Sequence, residues 1–294
     1  MSEVRTRELP PLLQLFRPRQ QVKNGLVVVA PVLAGIAWNA QVVGFVALAF
    51  VALMLVTAGT YTVNDLRDRH IDAMHPTKAR RPIARGAIGP ASAIVFATVS
   101  ISGALAIAYL INVSLLIVIA TYVVLTTSYS LGLKHVPILE LMIVAMGFVL
   151  RILAGASAAS TGVTDWFLIV IGSGALMVII AKRESEERRV KEDGGTPRGV
   201  LASYSLAFLT TTRAAVAAVV LTTGCIATFA KAHEVGAPVL VQASVVPFAL
   251  VILEFNRIAS LDGAETPEHI AYSSRLVQCS GAAWVLMVIG GVYG

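Results

Sequence analysis

Four oxygen-bearing side chains stand close together near the end of the second long apolar segment. Asn64, Asp68 and Asp72 are spaced four residues apart, and Asp65 lies three residues before Asp68. Because no helix-breaking residue occurs before Pro76, this spacing predicts a continuous helix with all four side chains on one broad face. Carboxylate and amide oxygens suit Mg²⁺, which proteins often bind together with substrate phosphates. The pattern therefore predicts a site for a divalent ion.

Basic residues follow the acidic cluster directly. The segment from His75 to Gly86 contains prolines and a glycine, which indicate a loop, and it carries four cations, Lys78, Arg80, Arg81 and Arg85. Cations beside a metal-bound carboxylate would suit a polyanionic substrate that is bridged to the ion. Two alternatives stay open. The acids could pair with arginines on a solvated helix end, and the loop could contact anionic lipid headgroups.

A second charged segment begins at Lys182, at the end of another apolar run. Lys182 and Arg183 suit charge-assisted binding of a phosphate or diphosphate, and Glu186 could orient them or assist a metal ion. The segment also permits another interpretation, because Glu184 and Arg188 have the spacing of a helical ion pair. We expect phosphate binding at the start of the segment and a mixed-charge helical extension after it.

Arg151 lies about two thirds of the way along an apolar segment. A central arginine costs roughly 2.5 to 3.5 kcal/mol on membrane insertion scales, so Arg151 should face a polar cavity and an anion. A structural ion pair is the alternative. Lys23 and Lys134 lie at the ends of apolar segments, where lysine commonly reaches the membrane surface. The residues alone make both lysines anchors.

The rest of the composition describes what must position these groups. The chain has 294 residues, 56% hydrophobic and 14% charged, with a mean hydropathy of +0.78. Soluble domains carry about 25% charged residues, so the composition predicts an all-α, polytopic membrane protein. Pro31 and Pro247 predict kinks in the first and eighth crossings. At roughly 17 to 25 apolar residues per crossing, we predict nine membrane helices, near residues 24–40, 42–63, 92–111, 115–132, 138–158, 166–182, 207–230, 238–254 and 276–293.

The distribution of lysine and arginine predicts the orientation. All but two of the 23 basic residues, the exceptions being Arg151 and Lys231, fall on one face of the predicted topology. The positive-inside rule places this face and the N-terminus in the cytoplasm, with the protein in the cell membrane. We predict one integral membrane catalytic domain over residues 1–294, with cytoplasmic active-site loops at about 64–91 and 182–206.

The acidic helix end resembles the first aspartate-rich motif of the UbiA-type intramembrane prenyltransferase superfamily. Further segments resemble the branch of that superfamily that acts on decaprenyl phosphate with 5-phosphoribosyl diphosphate. They are Arg17-Pro18-x-Gln20-x-x-Lys23-Asn24, His75-Pro76-x-Lys78-x-x-Arg81-Pro82-Ile83-Ala84-x-Gly86, Tyr129-Ser130-x-x-Leu133-Lys134, Leu150-Arg151-x-x-Ala154-Gly155-Ala156 and Lys182-Arg183-x-x-Glu186. From about residue 207 onward the match is hydrophobic topology alone. The resemblance implies nine helices around a lateral, lipid-accessible cavity above a cytoplasmic active site.

The resemblance also implies a reaction and the residues that serve it. The donor is 5-phosphoribosyl diphosphate (PRPP), the acceptor is decaprenyl phosphate, and the product is decaprenylphosphoryl-5-phosphoribose for cell-wall arabinan (arabinogalactan) synthesis. Mg²⁺ is the implied cofactor, with Asn64 and Asp68 as metal ligands and Asp65, Asp68 and Asp72 as catalytic carboxylates. Substrate-binding residues are implied at Lys23, Tyr61, Lys78, Arg81, Lys134, Arg151, Lys182, Arg183 and Glu186. The bilayer is an expected partner, nucleic acid is not, and a homo-oligomer stays open.

One departure from the superfamily separates the competing hypotheses. Ordinary prenyltransferases place a second aspartate-rich motif after the sixth helix, where it holds another Mg²⁺ on an allylic diphosphate. This chain has Lys182-Arg183-Glu184-Ser185-Glu186-Glu187 there instead. An aromatic prenyltransferase that uses a polyprenyl diphosphate is the second hypothesis and not the first, because it would need the aspartate-rich motif that is missing here. A transporter is the third, but it would favour inverted repeats and polar residues near the middle of several helices.

Overall fold

The computed structural model of the chain describes residues 9–197, 199–261, 270 and 273–294, without the side chain of Arg19. Arg5, Arg7 and Arg198, which contribute to the orientation prediction, lie outside the described residues. The regular elements of the described ranges are all helical, which confirms the all-α prediction. The α-helices are α1 (Pro11–Leu15), α2 (Pro18–Gln21), α3 (Val29–Leu33), α4 (Ala40–Ala73), α5 (Pro90–Ile111), α6 (Val113–Leu131), α7 (Leu139–Ala158), α8 (Asp165–Glu192), α9 (Leu206–Ala232), α10 (Pro238–Ala243), α11 (Val245–Ser260) and α12 (Arg275–Tyr293). Short 3₁₀ segments lie at Val22–Val28, Lys78–Arg80, Leu133–His135 and Gly199–Ser203.

Eight helical spans in the described ranges are long and apolar enough to cross a membrane, so the predicted count of nine is approximate. The difference lies in the predicted first crossing at 24–40. There the chain forms a seven-residue 3₁₀ segment and then the five-residue helix α3. At about 2.0 Å per residue in a 3₁₀ helix and 1.5 Å in an α-helix, the two together span roughly 22 Å. That is shorter than the hydrocarbon core of about 30 Å.

Gly155 of α7 allows this first segment to pack closely against the bundle. A methyl group on Gly155 would lie 1.8 Å from the carbonyl oxygen of Val27, so only glycine fits there. Val27 and the neighbouring Ala154 are completely buried. Small residues let helix backbones approach each other in a membrane. Gly155 and Ala154 therefore let the first segment pack closely against α7.

The predicted eighth crossing is interrupted near its proline. Helix α10 ends at Ala243 and α11 begins at Val245, and the two together form the span Pro238–Ala259. Pro247 lies in the first turn of α11, where a backbone N–H has no partner within the helix in any case. Ser244 lies buried at the junction, and its hydroxyl donates a hydrogen bond of 2.6 Å to the carbonyl of Val241.

Two helices are longer than a membrane crossing requires. Helix α4 has 34 residues and α8 has 28, which correspond to lengths of about 51 and 42 Å. Asn39 begins α4 because its side-chain oxygen accepts the backbone N–H of Gln41 at 2.9 Å. The C-terminal ends of both helices carry the charged residues that the sequence singles out. The excess length therefore brings those residues to the membrane surface or beyond it.

Candidate active site

The C-terminal end of α4 presents its four oxygen-bearing side chains on one continuous helix, and the structure divides them into two pairs. Asp65 and Asp72 are both buried and both accept hydrogen bonds from Arg81. The distances from Arg81 Nη1 are 2.9 Å to Asp65 Oδ1 and 2.6 Å to Asp72 Oδ2. Arg17 donates to both carboxylate oxygens of Asp65. These two acids thus join α4 to the loop that follows it and to the N-terminal segment.

Arg17 is held firmly in this arrangement. Its φ of 48° lies in the left-handed region, which costs energy in a residue with a side chain. Its guanidinium lies 4.9 Å from the centre of the Tyr61 ring, at a distance typical of a cation–π contact. The contacts with Asp65 and Tyr61 offset that cost. Tyr61, a predicted substrate-binding residue, therefore lies beneath an arginine in this structure.

Asn64 and Asp68 occupy the other edge of the same face. Lys134, in the 3₁₀ segment Leu133–His135, donates to both oxygens of Asp68, at 2.5 and 2.7 Å from Nζ. Asp68 and Lys134 are half-buried, so substrate can reach them. The side chain of Asn64 has no hydrogen-bonding partner among the described residues. This edge is therefore the more accessible part of the acidic cluster.

The described residues contain no group of three or more His, Cys, Asp or Glu side chains placed to hold a metal ion. The structure therefore does not fit a cage of protein ligands alone. Asn64 and Asp68 provide two hard oxygen donors on one edge of α4, and Asp68 already has a cationic partner in Lys134. This set fits a Mg²⁺ ion whose coordination is completed by substrate phosphate and water.

Arg183, at the membrane-surface end of α8, is held by two glutamates. Its Nε and Nη2 donate to the carboxylate of Glu140 at 2.9 and 2.8 Å, in a bidentate pair. Its Nη1 donates to Glu186 at 2.7 Å. The adjacent Lys182 is exposed. The predicted phosphate-binding residues Lys182 and Arg183 thus differ in availability, since Arg183 has carboxylate partners already.

A buried ion cluster lies next to this group and fixes the end of α8. Glu184 is completely buried and accepts from Arg213 Nε at 2.7 Å and from Arg188 Nη2 at 2.8 Å. Thr210 adds a hydrogen bond of 3.0 Å to the same carboxylate, and Arg213 also donates to the backbone and side chain of Asn256. The cluster joins α8 to α9 and α11. The predicted helical pair of Glu184 with Arg188 is one part of it.

The segment between α6 and α7 connects the two charged regions. The Tyr204 hydroxyl accepts the backbone N–H of Ile138 at 2.7 Å, and burial raises the pKa of Tyr204 above its ordinary value. Lys134 contacts Asp68 of α4, and Glu140, six residues later, contacts Arg183 of α8. The end of α4 and the end of α8 therefore face a common region.

Arg151 lies deeper in the bundle and has neutral partners. It donates to the Asn24 side-chain oxygen at 2.8 Å, the Gly147 carbonyl at 2.6 Å and the Tyr122 hydroxyl at 3.0 Å. None of its contacts among the described residues is with a carboxylate. The structure therefore does not support the alternative that Arg151 forms a structural ion pair. Its charge therefore makes the surrounding interior electropositive.

Lys23 and Arg151 lie near the same aromatic ring. Its Nζ is 5.9 Å from the centre of the Phe148 ring, and the Arg151 Cζ is 5.7 Å from the same centre. Asn24, which follows Lys23, also donates to Thr57 at 3.4 Å. Thr57 precedes Asp68 by eleven residues, or about 16 Å along α4. The structure thus arranges the predicted cations in two layers, with Lys23 and Arg151 in the deeper one.

The two predicted residues of the loop after α4 differ in availability. Lys78 is exposed in the loop after α4, whereas Arg81 is engaged with Asp65 and Asp72. Glu140 was not singled out from the sequence, although a carboxylate at the start of an apolar helix is a signal that a buried cation must face it. The other side chains that sequence reasoning left without a role are Arg17, Asn24, Tyr122, Tyr204 and Arg213.

A cavity of about 500 Å³ lies at the opposite end of the bundle. Its lining is mostly apolar and includes Phe167, Phe248 and Trp284, with Lys231 and Glu234 also on its wall. Lys231 follows Arg213 by eighteen residues in α9, which corresponds to about 27 Å. The cavity is therefore separate from the cluster of charged residues and has the lining that a hydrocarbon chain would need.

The fold and the charged site together define an integral membrane protein of the UbiA prenyltransferase family. The sequence profile of that family matches residues 28–271, and the chain belongs to it. A UbiA homolog from Archaeoglobus fulgidus, solved with GPP and Mg²⁺, superimposes with a TM-score of 0.66 at 18% identity. The match covers 96% of this chain and 98% of that one, and it shows a common fold.

Two relatives described as decaprenyl-phosphate phosphoribosyltransferase are similar along nearly their whole length. The protein from Corynebacterium glutamicum is 33% identical over 287 residues, which cover 96% of this chain and 86% of the relative. The protein from Mycolicibacterium smegmatis is 33% identical over 299 residues, which cover 96% of this chain and 92% of the relative. The resemblance based on short motifs is thus confirmed across the chain, including the part after residue 207.

Proposed function

We propose that this chain is a membrane glycosyltransferase that moves the 5-phosphoribosyl group from PRPP to decaprenyl phosphate. The observation that carries the proposal is the 33% identity along 96% of the chain to proteins described as decaprenyl-phosphate phosphoribosyltransferase. The products would be diphosphate and decaprenylphosphoryl-5-phosphoribose, a precursor for cell-wall arabinan. The sequence supports this choice because Lys182 and Arg183 stand where the resemblance places the second aspartate-rich motif of a prenyltransferase.

We infer that Mg²⁺ is the cofactor and that Asn64 and Asp68 hold it. The solved Archaeoglobus homolog with bound Mg²⁺ supports use of a divalent ion in this fold. Bound there with the donor, the ion would stabilise the negative charge that develops on the departing diphosphate. Asp65 and Asp72 would act through Arg81, by holding the end of α4 and the following loop in place.

The chain's cations would serve to bring two anions together. Lys134 already lies within hydrogen-bonding distance of Asp68, so it is placed to contact a phosphate bound beside that carboxylate. Lys78 and Lys182 are exposed and can reach a donor that arrives from solution. Lys23 and Arg151 add positive charge deeper in the bundle. Cancelling the repulsion and aligning the reactants lowers the barrier without any new covalent step.

The chemistry needs little acid or base catalysis. An oxygen of the lipid phosphate would attack the anomeric carbon of the ribose as the bond from that carbon to the diphosphate oxygen breaks. The bonding electrons leave with the diphosphate. Because the acceptor is already an anion at neutral pH, no proton has to be removed to make it nucleophilic.

We further propose that this site faces the cytoplasm, as the basic residues predict. PRPP is a water-soluble donor and would reach the exposed ends of α4 and α8 from that side. The isoprenoid tail of the acceptor would remain in the bilayer, and the apolar cavity beside Trp284 could accommodate part of it. The lipid phosphate would enter from the membrane side of the same site.

The test is transfer of labelled ribose phosphate into an organic-soluble product. Purified protein is supplied with labelled PRPP, decaprenyl phosphate and Mg²⁺, and label in the organic phase is measured. We expect transfer by the wild type, and loss of transfer in Asp68→Asn. Asp193→Asn, a carboxylate exposed at the end of α8, is the matched control and should remain active. Transfer only from a polyprenyl diphosphate to an aromatic acid would instead establish the second hypothesis.

A further inference from the structure

Glu140 is a completely buried carboxylate that lies in the first turn of a membrane helix. The N-terminus of a helix carries partial positive charge, which stabilises an anion at that place. Both carboxylate oxygens of Glu140 accept from the Arg183 guanidinium, at 2.9 and 2.8 Å. A buried acid with a single cationic partner is costly to maintain for stability alone, because desolvation offsets much of the attraction. The pair therefore calls for an explanation beyond stability.

The two carboxylates that hold Arg183 differ in their access to solvent. The side chain of Glu140 is 0% exposed, whereas that of Glu186 is 38% exposed. A phosphate from solution can therefore take the place of Glu186, but it cannot take the place of Glu140. Arg183 is thus fixed from behind by Glu140, and its Nη1 is directed to the side from which a ligand can arrive.

The same short segment that carries Glu140 also positions Lys134. Ile138, between them, has a φ of 66°, a left-handed conformation that is strained for a β-branched residue. The hydroxyl of Tyr204 holds this turn by accepting the N–H of Ile138 at 2.7 Å. Lys134 then contacts Asp68 on α4. One turn therefore sets both Lys134 and the partner of Arg183.

We propose that Glu140 is a positioning residue that orients Arg183 so that Arg183 and Lys134 bind the diphosphate of the donor together. This inference rests on the proposed function in one respect, the identity of the donor as a sugar diphosphate. Glu140 itself would not touch substrate. Its effect on binding would pass through the Arg183 guanidinium.

The experiment measures the binding of inorganic diphosphate with Mg²⁺, and the KM values for PRPP and for decaprenyl phosphate. It compares wild type, Glu140→Gln, Arg183→Gln and the double variant. We expect Glu140→Gln to weaken diphosphate binding about tenfold or more and to raise the KM for PRPP, with the KM for the lipid unchanged. In the Arg183→Gln background, Glu140→Gln should have no further effect on diphosphate binding, since Glu140 acts through Arg183.

Two further variants separate positioning from stability. Glu184→Gln is the matched control, because Glu184 is equally buried and paired with arginine, so this change should lower the unfolding temperature without selectively weakening diphosphate binding. Glu140→Asp keeps the charge, and we expect it to restore part of the diphosphate affinity. If Glu140→Gln does not fold, the diphosphate affinity of Glu140→Asp is compared with that of the wild type instead.

The outcomes are distinguishable from those that test the proposed function. Diphosphate binding that stays at the wild-type level in Glu140→Gln, or an equal loss in the Arg183→Gln background, would overturn the positioning role. A wild type that binds no diphosphate would overturn it as well. If diphosphate binding depends on Glu140 but label from PRPP never reaches the lipid, the proposed reaction is wrong and the positioning role stands.

Discussion

Asp65 and Asp68, three residues apart on one helix, should respond to the same substitution in opposite ways. Asp65→Asn removes the carboxylate that holds Arg17 and leaves Arg81 with Asp72 as its remaining carboxylate partner, while both guanidiniums stay partly buried. Breaking a buried ion pair costs about 3–5 kcal/mol. The two arginine side chains are 18% and 28% exposed, so water compensates in part for the lost carboxylate. We therefore expect the free energy of unfolding to fall by about 3 kcal/mol, at the lower end of that range.

Asp68→Asn should have the reverse profile. Asp68 is 22% exposed, against 5% for Asp65, and Lys134 is its one cationic partner among the described residues. The pair therefore resembles a surface ion pair more closely, and its loss should cost about 1 kcal/mol. Catalysis should suffer far more, because Asp68 is the proposed metal ligand. A fall of about 100-fold or more in kcat/KM corresponds to the loss of one strong electrostatic contact in the transition state.

The assay combines thermal unfolding in detergent with label transfer per folded molecule. Asp65→Asn should unfold at a clearly lower temperature and lose about tenfold in transfer, the lower end of what removal of a supporting residue costs. Asp68→Asn should unfold near the wild-type temperature and be almost inactive. Equal loss of transfer in both variants, with wild-type stability in both, would refute the division of the acidic cluster into a bracing pair and a reactive pair.

Three further predictions concern packing, the buried ion cluster and the metal. Gly155→Ala should lower the free energy of unfolding by about 1–3 kcal/mol or more, because the new methyl group meets the Val27 carbonyl. Gly174→Ala is the control, because Gly174 has open space around it, and this change should leave the unfolding temperature unchanged or raise it. Arg213→Met should cost about 2–4 kcal/mol in detergent unfolding, since Glu184 would keep only Arg188 as a cationic partner. Chelation of divalent ions should abolish label transfer, and added Mg²⁺ should restore it; transfer that persists in excess chelator would contradict the proposed cofactor.

The sequence predicted the architecture of the chain because membrane helices follow from apolar length alone. The long crossings and the kink near Pro247 could be identified in this way. The first crossing could not, because its conformation depends on the contact between Val27 and Gly155, two residues far apart in the chain. Hydropathy reports that a segment is apolar, and it does not report whether that segment is a 3₁₀ or an α-helix.

For the candidate site, the sequence indicates which residues share a helix face, but it does not indicate which residues they pair with. Helical spacing places Asn64, Asp65 and Asp68 on one face, as the structure has them, but spacing cannot say which of them an arginine will neutralise. That depends on Arg17, which approaches from the N-terminal segment. Glu140 and Arg183 are likewise joined only by the packing of α7 against α8. Long-range ion pairs of this kind leave no local pattern in a single sequence.

In the proposed site, Asn64 and Asp68 hold a divalent ion on the diphosphate of PRPP. Paramagnetic resonance of Mn²⁺, in place of Mg²⁺, tests this most directly on the purified protein with PRPP. We expect a protein-bound Mn²⁺ signal with coupling to donor phosphorus that is retained in Asp65→Asn and lost in Asp68→Asn. Phosphorus-coupled Mn²⁺ that binds equally well in Asp68→Asn, or bound Mn²⁺ without phosphorus coupling, would contradict it.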